Sequence, residues 1–285
     1  MIVITGNRGQ LGFDIEKVCQ DRGLEYLGID INELDITDKN AVNEFFLSRN
    51  IDTFIHCAAF TAVDVAEDNP ELCYRVNTEA VKYLVDACKK HDVKFIFIST
   101  DYVFSGQKEG IYLPEDKTSP LSVYGKSKAD SEAYIQENLE KYYIVRISWA
   151  FGLNGKNFVR TMLRLGKEKP SISVVSDQIG SPTYTKDIAP LLVDMSQTDK
   201  YGVYHATNEG YCSWADFTRY ILERAGLTAE VKDILTKDYP TKAARPMNSR
   251  LSKDKLEENG FSRLPSWQSA VERYLQELID VEGSL

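Results

Sequence analysis

A glycine-rich segment near the start of the chain constrains the fold more than any other feature. The apolar run Ile2–Thr5 leads directly into Gly6-Asn7-Arg8-Gly9-Gln10-Leu11-Gly12, and a helical pattern follows to about Gln20. Glycines at this spacing allow a tight turn and close approach of the backbone, and a helix N-terminus favours an anion. A bare turn is the alternative, but a strand before the loop and a helix after it favour a dinucleotide diphosphate site. The expected cofactor-binding residues here are Gly6, Arg8, Gly9, Gln10, Leu11 and Gly12.

Alternating patterns extend this unit into an α/β domain. Short apolar runs and longer helical patterns alternate over residues 1–150, which is typical of a parallel sheet. The alternation weakens after Trp149. The sequence therefore predicts a Rossmann-type, doubly wound parallel sheet over residues 1–150, with later contributions from about 171–200. Residues 151–285 are expected to form mainly a smaller substrate-binding lobe beside a cleft.

The end of the second predicted strand bears on the choice of cofactor. Asp30 lies about 20 residues beyond the glycine loop, where a carboxylate accepts hydrogen bonds from the adenosine ribose. This carboxylate would repel a 2′-phosphate and favour NAD(H), whereas the Arg8 guanidinium would favour NADP(H). The sequence leans to NAD(H) and leaves NADP(H) open. Asp35 and Ile36 are expected near the adenine, and Ala58 at the end of the third strand lets the cofactor lie close to the sheet.

A Tyr-x-x-x-Lys pair supplies the candidate chemistry. Tyr124 and Lys128 are four residues apart, so on a helix both side chains project from one face. An ammonium beside a phenol favours the phenolate and lowers its pKa, which suits proton transfer. Ser99-Thr100-Asp101 follows an apolar run, and the Thr100 hydroxyl is expected to point at the oxygen that Tyr124 protonates. An ordinary helix pair with an exposed lysine is the alternative for the isolated motif.

Composition excludes several classes of function. The net charge is −9 and no basic run stands out, which argues against binding nucleic acid. No apolar stretch approaches the roughly 20 residues of a membrane span, and the N-terminus lacks the features of a signal peptide. The five cysteines are scattered and are read as reduced core residues of a cytoplasmic protein. No His or Cys spacing matches a metal site, so a bound metal stays unknown.

Longer motifs, spread over the whole chain, resemble the extended short-chain dehydrogenase/reductase family and, within it, the dTDP-4-dehydrorhamnose reductases. They are Gly9-Gln10-Leu11-Gly12, Ala59-Phe60-Thr61-Ala62-Val63-Asp64, Ser99-Thr100-Asp101-Tyr102-Val103-Phe104, Val123-Tyr124-Gly125-Lys126-Ser127-Lys128, Arg146-Ile147-Ser148-Trp149, Asp177-Gln178-Ile179-Gly180-Ser181-Pro182-Thr183 and Ala244-Arg245-Pro246-Met247-Asn248-Ser249-Arg250-Leu251.

The resemblance implies reduction of the C4 keto group of a dTDP-linked 4-keto-6-deoxy sugar by NAD(P)H. Thr100, Tyr124 and Lys128 would be catalytic, with Tyr124 as the proton donor. Asp101 and Trp149 would contact the sugar and Arg245 the diphosphate. The alternatives are a lobe-interface core role for Trp149 and a surface salt bridge for Arg245. The resemblance also implies that the cofactor is lined by Ala59, Phe60, Thr61, Ile98 and Ser99.

Two other functions of the same fold stay open. Dehydratases of the family place an acid where this chain has Tyr102, so dehydration is disfavoured. An epimerase shares the tyrosine and lysine. A non-catalytic nucleotide-binding subunit of methionine adenosyltransferase is the alternative outside catalysis. Some family members dimerise around a divalent metal, and the sequence leaves both a homodimer and such a metal open.

Overall fold

A parallel six-stranded sheet forms the centre of the protein. In the computed structural model, which describes residues 1–283, the strand order is β10-β5-β4-β3-β1-β2. The strands are β1 (Ile2–Thr5), β2 (Tyr26–Ile29), β3 (Thr53–His56), β4 (Lys94–Thr100), β5 (Tyr142–Ile147), β6 (Ala150–Phe151), β7 (Ser171–Val175), β8 (Ile179–Gly180), β9 (Thr183–Tyr184), β10 (Gly202–His205), β11 (Cys212–Ser213) and β12 (Glu230–Ile234). All pairings within the six-stranded sheet are parallel, as the alternating pattern predicted.

Helices cover both faces of this sheet. They are α1 (Gln10–Asp21), α2 (Lys39–Leu47), α3 (Val63–Asp68), α4 (Pro70–Tyr74), α5 (Ala80–His91), α6 (Val123–Asn138), α7 (Phe158–Glu168), α8 (Thr185–Ser196), α9 (Trp214–Arg224), α10 (Asp254–Glu258) and α11 (Trp267–Glu282). One apolar core lies between the sheet and α2, α5 and α6, and a second lies between the sheet, α1 and α8. This two-sided burial explains why the central strands read as continuous apolar runs. The predicted doubly wound fold is confirmed.

Elements after residue 150 divide between the two parts of the molecule. Helix α8 packs against α1, and β10 extends the main sheet beside β5. The later contribution expected at about 171–200 therefore comes from residues 185–205. Strand β7 instead pairs with β12 and lies in a third core with α7, α9 and α11. A division near residue 150 stays a prediction.

Polar side chains next to the first turn cap several helices. The Asp38 side chain accepts hydrogen bonds from the backbone N–H groups of Asn40 and Ala41, and so caps α2. Ser213 and Asp216 form a reciprocal capping box at the start of α9. His56 is buried within β3 and hydrogen-bonds Thr5, so it serves as a core residue. Among the described helices, none is long and apolar enough to cross a membrane.

Candidate active site

The glycine loop has the geometry that a dinucleotide diphosphate requires. Gly6 adopts a positive φ of 66°, and a Cβ there would lie 2.9 Å from the Ala58 nitrogen, so β3 approaches the loop closely. Gly9 precedes α1 and provides no side-chain cap. Backbone N–H groups in the first turn of a helix are then left to bind an anion. The residues therefore fit the diphosphate of a nicotinamide dinucleotide.

A cavity of about 680 Å³ runs along the carboxyl ends of the central strands. Binding at this edge is the rule for open α/β sheets. The predicted site residues that line it are Gly6, Arg8, Gly9, Gln10, Leu11, Asp30, Ala58, Ala59, Thr61, Ile98, Ser99, Thr100, Asp101, Tyr124, Lys128 and Trp149. A neighbouring cavity of about 260 Å³ is lined by Asp35 and Ile36 together with Asp30 and Ala59, and binding of adenosine there stays a prediction.

Gly12 and Phe60 are absent from the linings of these cavities. Gly12 lies within α1 and packs against Gly6. The Asn77 side chain holds Phe60 by accepting from its N–H (2.8 Å) and donating to its carbonyl (3.1 Å). Asn77 also donates to the Ser127 hydroxyl on α6 at 3.1 Å. Asn77 thus fixes the backbone that leads into the cavity.

A third cavity, of about 360 Å³, lies on the side of the smaller lobe. It shares Asp101, Tyr102, Trp149 and Trp214 with the 680 Å³ cavity, so the two meet at these four residues. Much of its remaining lining is apolar and comes from α7 and β7, including Phe158, Met162, Leu165, Ile172, Val174 and Val175. Two ligands bound in these cavities would therefore face each other across this junction.

Tyr124 lies at the start of α6, and its position is fixed by the turn before it. The Ser122 hydroxyl accepts from the Gly125 N–H at 3.1 Å and caps the helix. A Cβ on Gly125 would lie 2.2 Å from the Tyr102 carbonyl, so only glycine lets α6 approach the turn that carries Asp101. The Thr100 side chain lies close enough to the Tyr124 phenol to oppose the rise in its pKa. The two residues predicted to act on one oxygen are therefore adjacent.

Burial controls the titration of Tyr124 and Lys128. It raises the pKa of Tyr124 well above its ordinary value, and nearby Asp101 adds to the rise. The lowering of the Tyr124 pKa that the Lys128 ammonium was expected to cause is thus outweighed by burial, which also lowers the pKa of Lys128 to about 7. The Lys128 Nζ lies 3.8 Å from the centroid of the Phe97 ring. The site therefore presents a neutral phenol beside a lysine that titrates near neutral pH.

Asp101 is a buried carboxylate tied to both parts of the molecule. It accepts from the Thr100 hydroxyl at 3.0 Å and from the Ser249 hydroxyl at 2.5 Å. Burial raises its pKa to about 6, and the hydrogen bonds from Ser249 and Thr100 oppose that rise. Ser249 belongs to a motif that identified the family, but the sequence assigned it no role, because its partner is 148 positions away.

Trp149 stands at the junction of the two large cavities. Its φ is 50°, an unusual value for a bulky residue, and strain of this kind gathers at functional sites. Its ring stacks on Trp214 with centroids 3.7 Å apart, and both rings line both cavities. Trp149 therefore packs against the smaller lobe and also faces the cleft, and its contact with the sugar stays a prediction. Trp214 was not predicted as a site residue.

Arg245 lines the 360 Å³ cavity and is held by a carboxylate. Its Nη2 lies 2.5 Å from Oδ2 of Asp64, and its Nη1 lies 3.1 Å from Oδ1. The side chain of Arg245 is 24% exposed. The alternative expectation, a salt bridge, is thus present at the cavity itself.

Within residues 1–283, no group of three or more His, Cys, Asp or Glu side chains is arranged to hold a metal ion.

Known proteins resemble this chain over almost its whole length. It is 43% identical to a dTDP-4-dehydrorhamnose reductase of Aggregatibacter actinomycetemcomitans, covering 95% of this chain and 96% of the relative. It is 37% identical to the spore coat polysaccharide biosynthesis protein SpsK of Bacillus subtilis, with 97% of each chain covered. A crystal structure of dTDP-4-dehydrorhamnose reductase from Bacillus anthracis in complex with NADP superposes with a TM-score of 0.94 at 38% identity, covering 97% of this chain and 98% of that one.

The family model described as the RmlD substrate binding domain matches residues 1–279. This match spans the glycine loop, the Tyr124–Lys128 pair and the smaller lobe together. It confirms the resemblance inferred from the motifs, and the chain belongs to the RmlD substrate binding domain family.

Proposed function

We propose that this protein uses NAD(P)H to reduce the C4 keto group of dTDP-4-dehydrorhamnose, giving dTDP-L-rhamnose. The observation that carries the proposal is the junction of two cavities beside Thr100 and Tyr124, one of them shaped for a dinucleotide. Relatives named as dTDP-4-dehydrorhamnose reductases support the substrate, and the NADP complex from Bacillus anthracis supports the cofactor class. When bound, the nicotinamide supplies the hydride.

Tyr124 is the proposed proton donor. Reduction of a ketone leaves an alkoxide that must gain a proton, and a phenol that stays neutral is the form able to give one. Burial keeps the pKa of Tyr124 high and so maintains that form. Thr100, which lines the same cavity as Tyr124, would orient the keto oxygen. Lys128, whose pKa burial lowers to about 7, would hold the nicotinamide ribose and supply a proton near neutral pH.

The smaller lobe would bind the nucleotide part of the substrate. The apolar side chains of the 360 Å³ cavity suit a base, and Arg245 is the proposed contact for the diphosphate. Asp64 would act as a positioning residue by holding the guanidinium at the cavity wall. Asp101 and Trp149, at the junction, would contact the sugar.

Oxidation of NADH and NADPH by the purified protein with dTDP-4-dehydrorhamnose tests the proposal. We expect oxidation that depends on the sugar and is stoichiometric with product. Tyr124→Phe should lower kcat by roughly 10²- to 10⁴-fold, the usual contribution of a general acid, and change the NADH dissociation constant little. Tyr134→Phe is the matched control, because Tyr134 lies on the same helix and donates to Asp86 at the surface.

Two outcomes would contradict this proposal. Oxidation that survives in Tyr124→Phe would exclude Tyr124 as the proton donor. A protein that binds NADH but oxidises none in the presence of the sugar would exclude the reductase. A new epimer formed without net oxidation of the cofactor would point to an epimerase.

A further inference from the structure

Glu33, in the turn after β2, places its carboxylate between Arg8 and the backbone of Asp30. Its Oε1 lies 2.9 Å from the Arg8 Nη2, and its Oε2 accepts from the Asp30 N–H at 2.9 Å. Arg8 and Asp30 both line the 680 Å³ cavity at the end where the adenosine ribose is expected. A guanidinium and a backbone N–H are the groups with which proteins bind phosphate. The protein's own carboxylate thus occupies an anion site beside the cofactor cavity.

We propose that Glu33 is a specificity-determining residue that disfavours the 2′-phosphate of NADPH. The inference rests on NAD(P)H as the cofactor in the proposed function. Arg8 is the cation within the glycine loop that would attract the phosphate, and Glu33 both neutralises it and adds a like charge nearby. The conflict between Asp30 and Arg8 in the sequence is therefore resolved toward NADH by a third residue.

Neighbouring contacts hold the backbone of the glycine loop in place, so that only side chains take part in the competition between Glu33 and a 2′-phosphate for Arg8. The Asn154 side chain donates to the Arg8 carbonyl at 2.8 Å, and the Gly9 N–H donates to the Gly6 carbonyl at 2.9 Å. These bonds fix the backbone of the loop whichever anion Arg8 meets. The side chains of Arg8 and Glu33 are 58% and 42% exposed, so their ion pair adds little to stability and its removal should leave the fold intact.

Titration of the full chain with NADH and with NADPH, followed by nicotinamide fluorescence and without sugar substrate, tests the inference. In Glu33→Gln we expect the dissociation constant for NADPH to fall about 3- to 10-fold, the effect of one like charge in a water-exposed site. The constant for NADH should change less than about twofold. The gain should shrink as salt is raised and should be smaller when Arg8→Ala is combined with Glu33→Gln, because only the direct repulsion by Glu33 is then removed.

Glu44→Gln provides a matched control, because Glu44 lies on α2 and lines the same surface cleft as Glu33. This substitution removes the same charge at a position that does not contact Arg8. It should change the affinities for both nucleotides equally or not at all.

The inference would be overturned if Glu33→Gln left the dissociation constant for NADPH unchanged, or lowered the constants for NADH and NADPH by the same factor. So would a gain of the same size in the absence of Arg8. These results would leave the reductase proposal standing, because its own test is oxidation in the presence of the sugar. Conversely, the predicted shift in NADPH affinity combined with no sugar-dependent oxidation would support the inference and contradict the proposed activity.

Discussion

Glu132 on α6 and Arg146 on β5 form a fully buried ion pair between the helix that carries Tyr124 and the sheet, and its disruption should be costly. Their side chains are 1% and 3% exposed. The Arg146 Nε lies 3.0 Å from Oε1 of Glu132, and its Nη2 lies 2.6 Å from Oε2. The Ser99 hydroxyl donates to the same carboxylate at 2.5 Å, and Arg146 also donates to the Pro114 carbonyl at 3.0 Å. The network joins α6, β4, β5 and the loop beside the cleft.

We predict that Glu132→Met lowers the free energy of unfolding by about 3–5 kcal/mol. The substitution keeps an apolar side chain of similar size but leaves the guanidinium buried without a counter-charge, and breaking one partner of a buried pair costs this amount. With an unfolding entropy of about 2.1 cal/mol/K per residue and 285 residues, the melting temperature should fall by about 5–8 °C. Thermal and urea unfolding followed by circular dichroism measure both quantities.

The double variant separates charge from packing. Arg146→Met alone should also be destabilising, because it leaves the Glu132 carboxylate buried without a counter-charge. Combining the two substitutions should cost clearly less than the sum of the single ones, since no unpaired charge is left. Glu137→Gln, at an exposed position of the same helix, should change stability by less than about 0.5 kcal/mol. Strict additivity, or a Glu132→Met loss below about 1 kcal/mol, would refute this reasoning.

Three further predictions concern the site itself. Burial raises the pKa of Asp101 to about 6, and the hydrogen bond from Ser249 opposes this rise. Ser249→Ala should therefore move the acidic limb of the pH profile of kcat/KM to higher pH. An unmoved limb would show that Asp101 does not produce it. Burial lowers the pKa of Lys128 to about 7, whereas hydrogen bonding to ribose oxygens would favour the ammonium. Binding of NADH at pH 8 should therefore be accompanied by uptake of at most about one proton by Lys128. Calorimetry in buffers of different ionisation enthalpy measures this uptake, and Lys128→Met should abolish it. Arg245→Ala should raise KM for the dTDP sugar roughly 10-fold with little change in kcat. The ion pair with Asp64 is partly exposed, so its loss should lower stability by only about 1 kcal/mol. An unchanged KM would leave Arg245 only a structural role.

Features that depend on neighbours in the chain could be predicted from the sequence. The glycine loop, the Asp38 cap and the capping box at Ser213 are local, because the groups that satisfy one another lie within a few residues. The parallel sheet followed from the alternation of apolar and helical patterns. The position of Tyr124 one turn before Lys128 followed from the helical period. The RmlD family resemblance rested on motifs of this kind.

Features that depend on distant contacts and on burial were decided only by the tertiary structure. Asp101 meets Ser249, and Arg245 meets Asp64, across 148 and 181 positions of chain. The direction of the Tyr124 pKa shift was unpredictable for the same reason, since spacing gives the distance to Lys128 but not the removal of both groups from water. The sequence by itself determined which chemical groups are present and the elements that carry them. Folding decided which groups face each other and how far water is excluded, and those two quantities set charge, pKa and specificity.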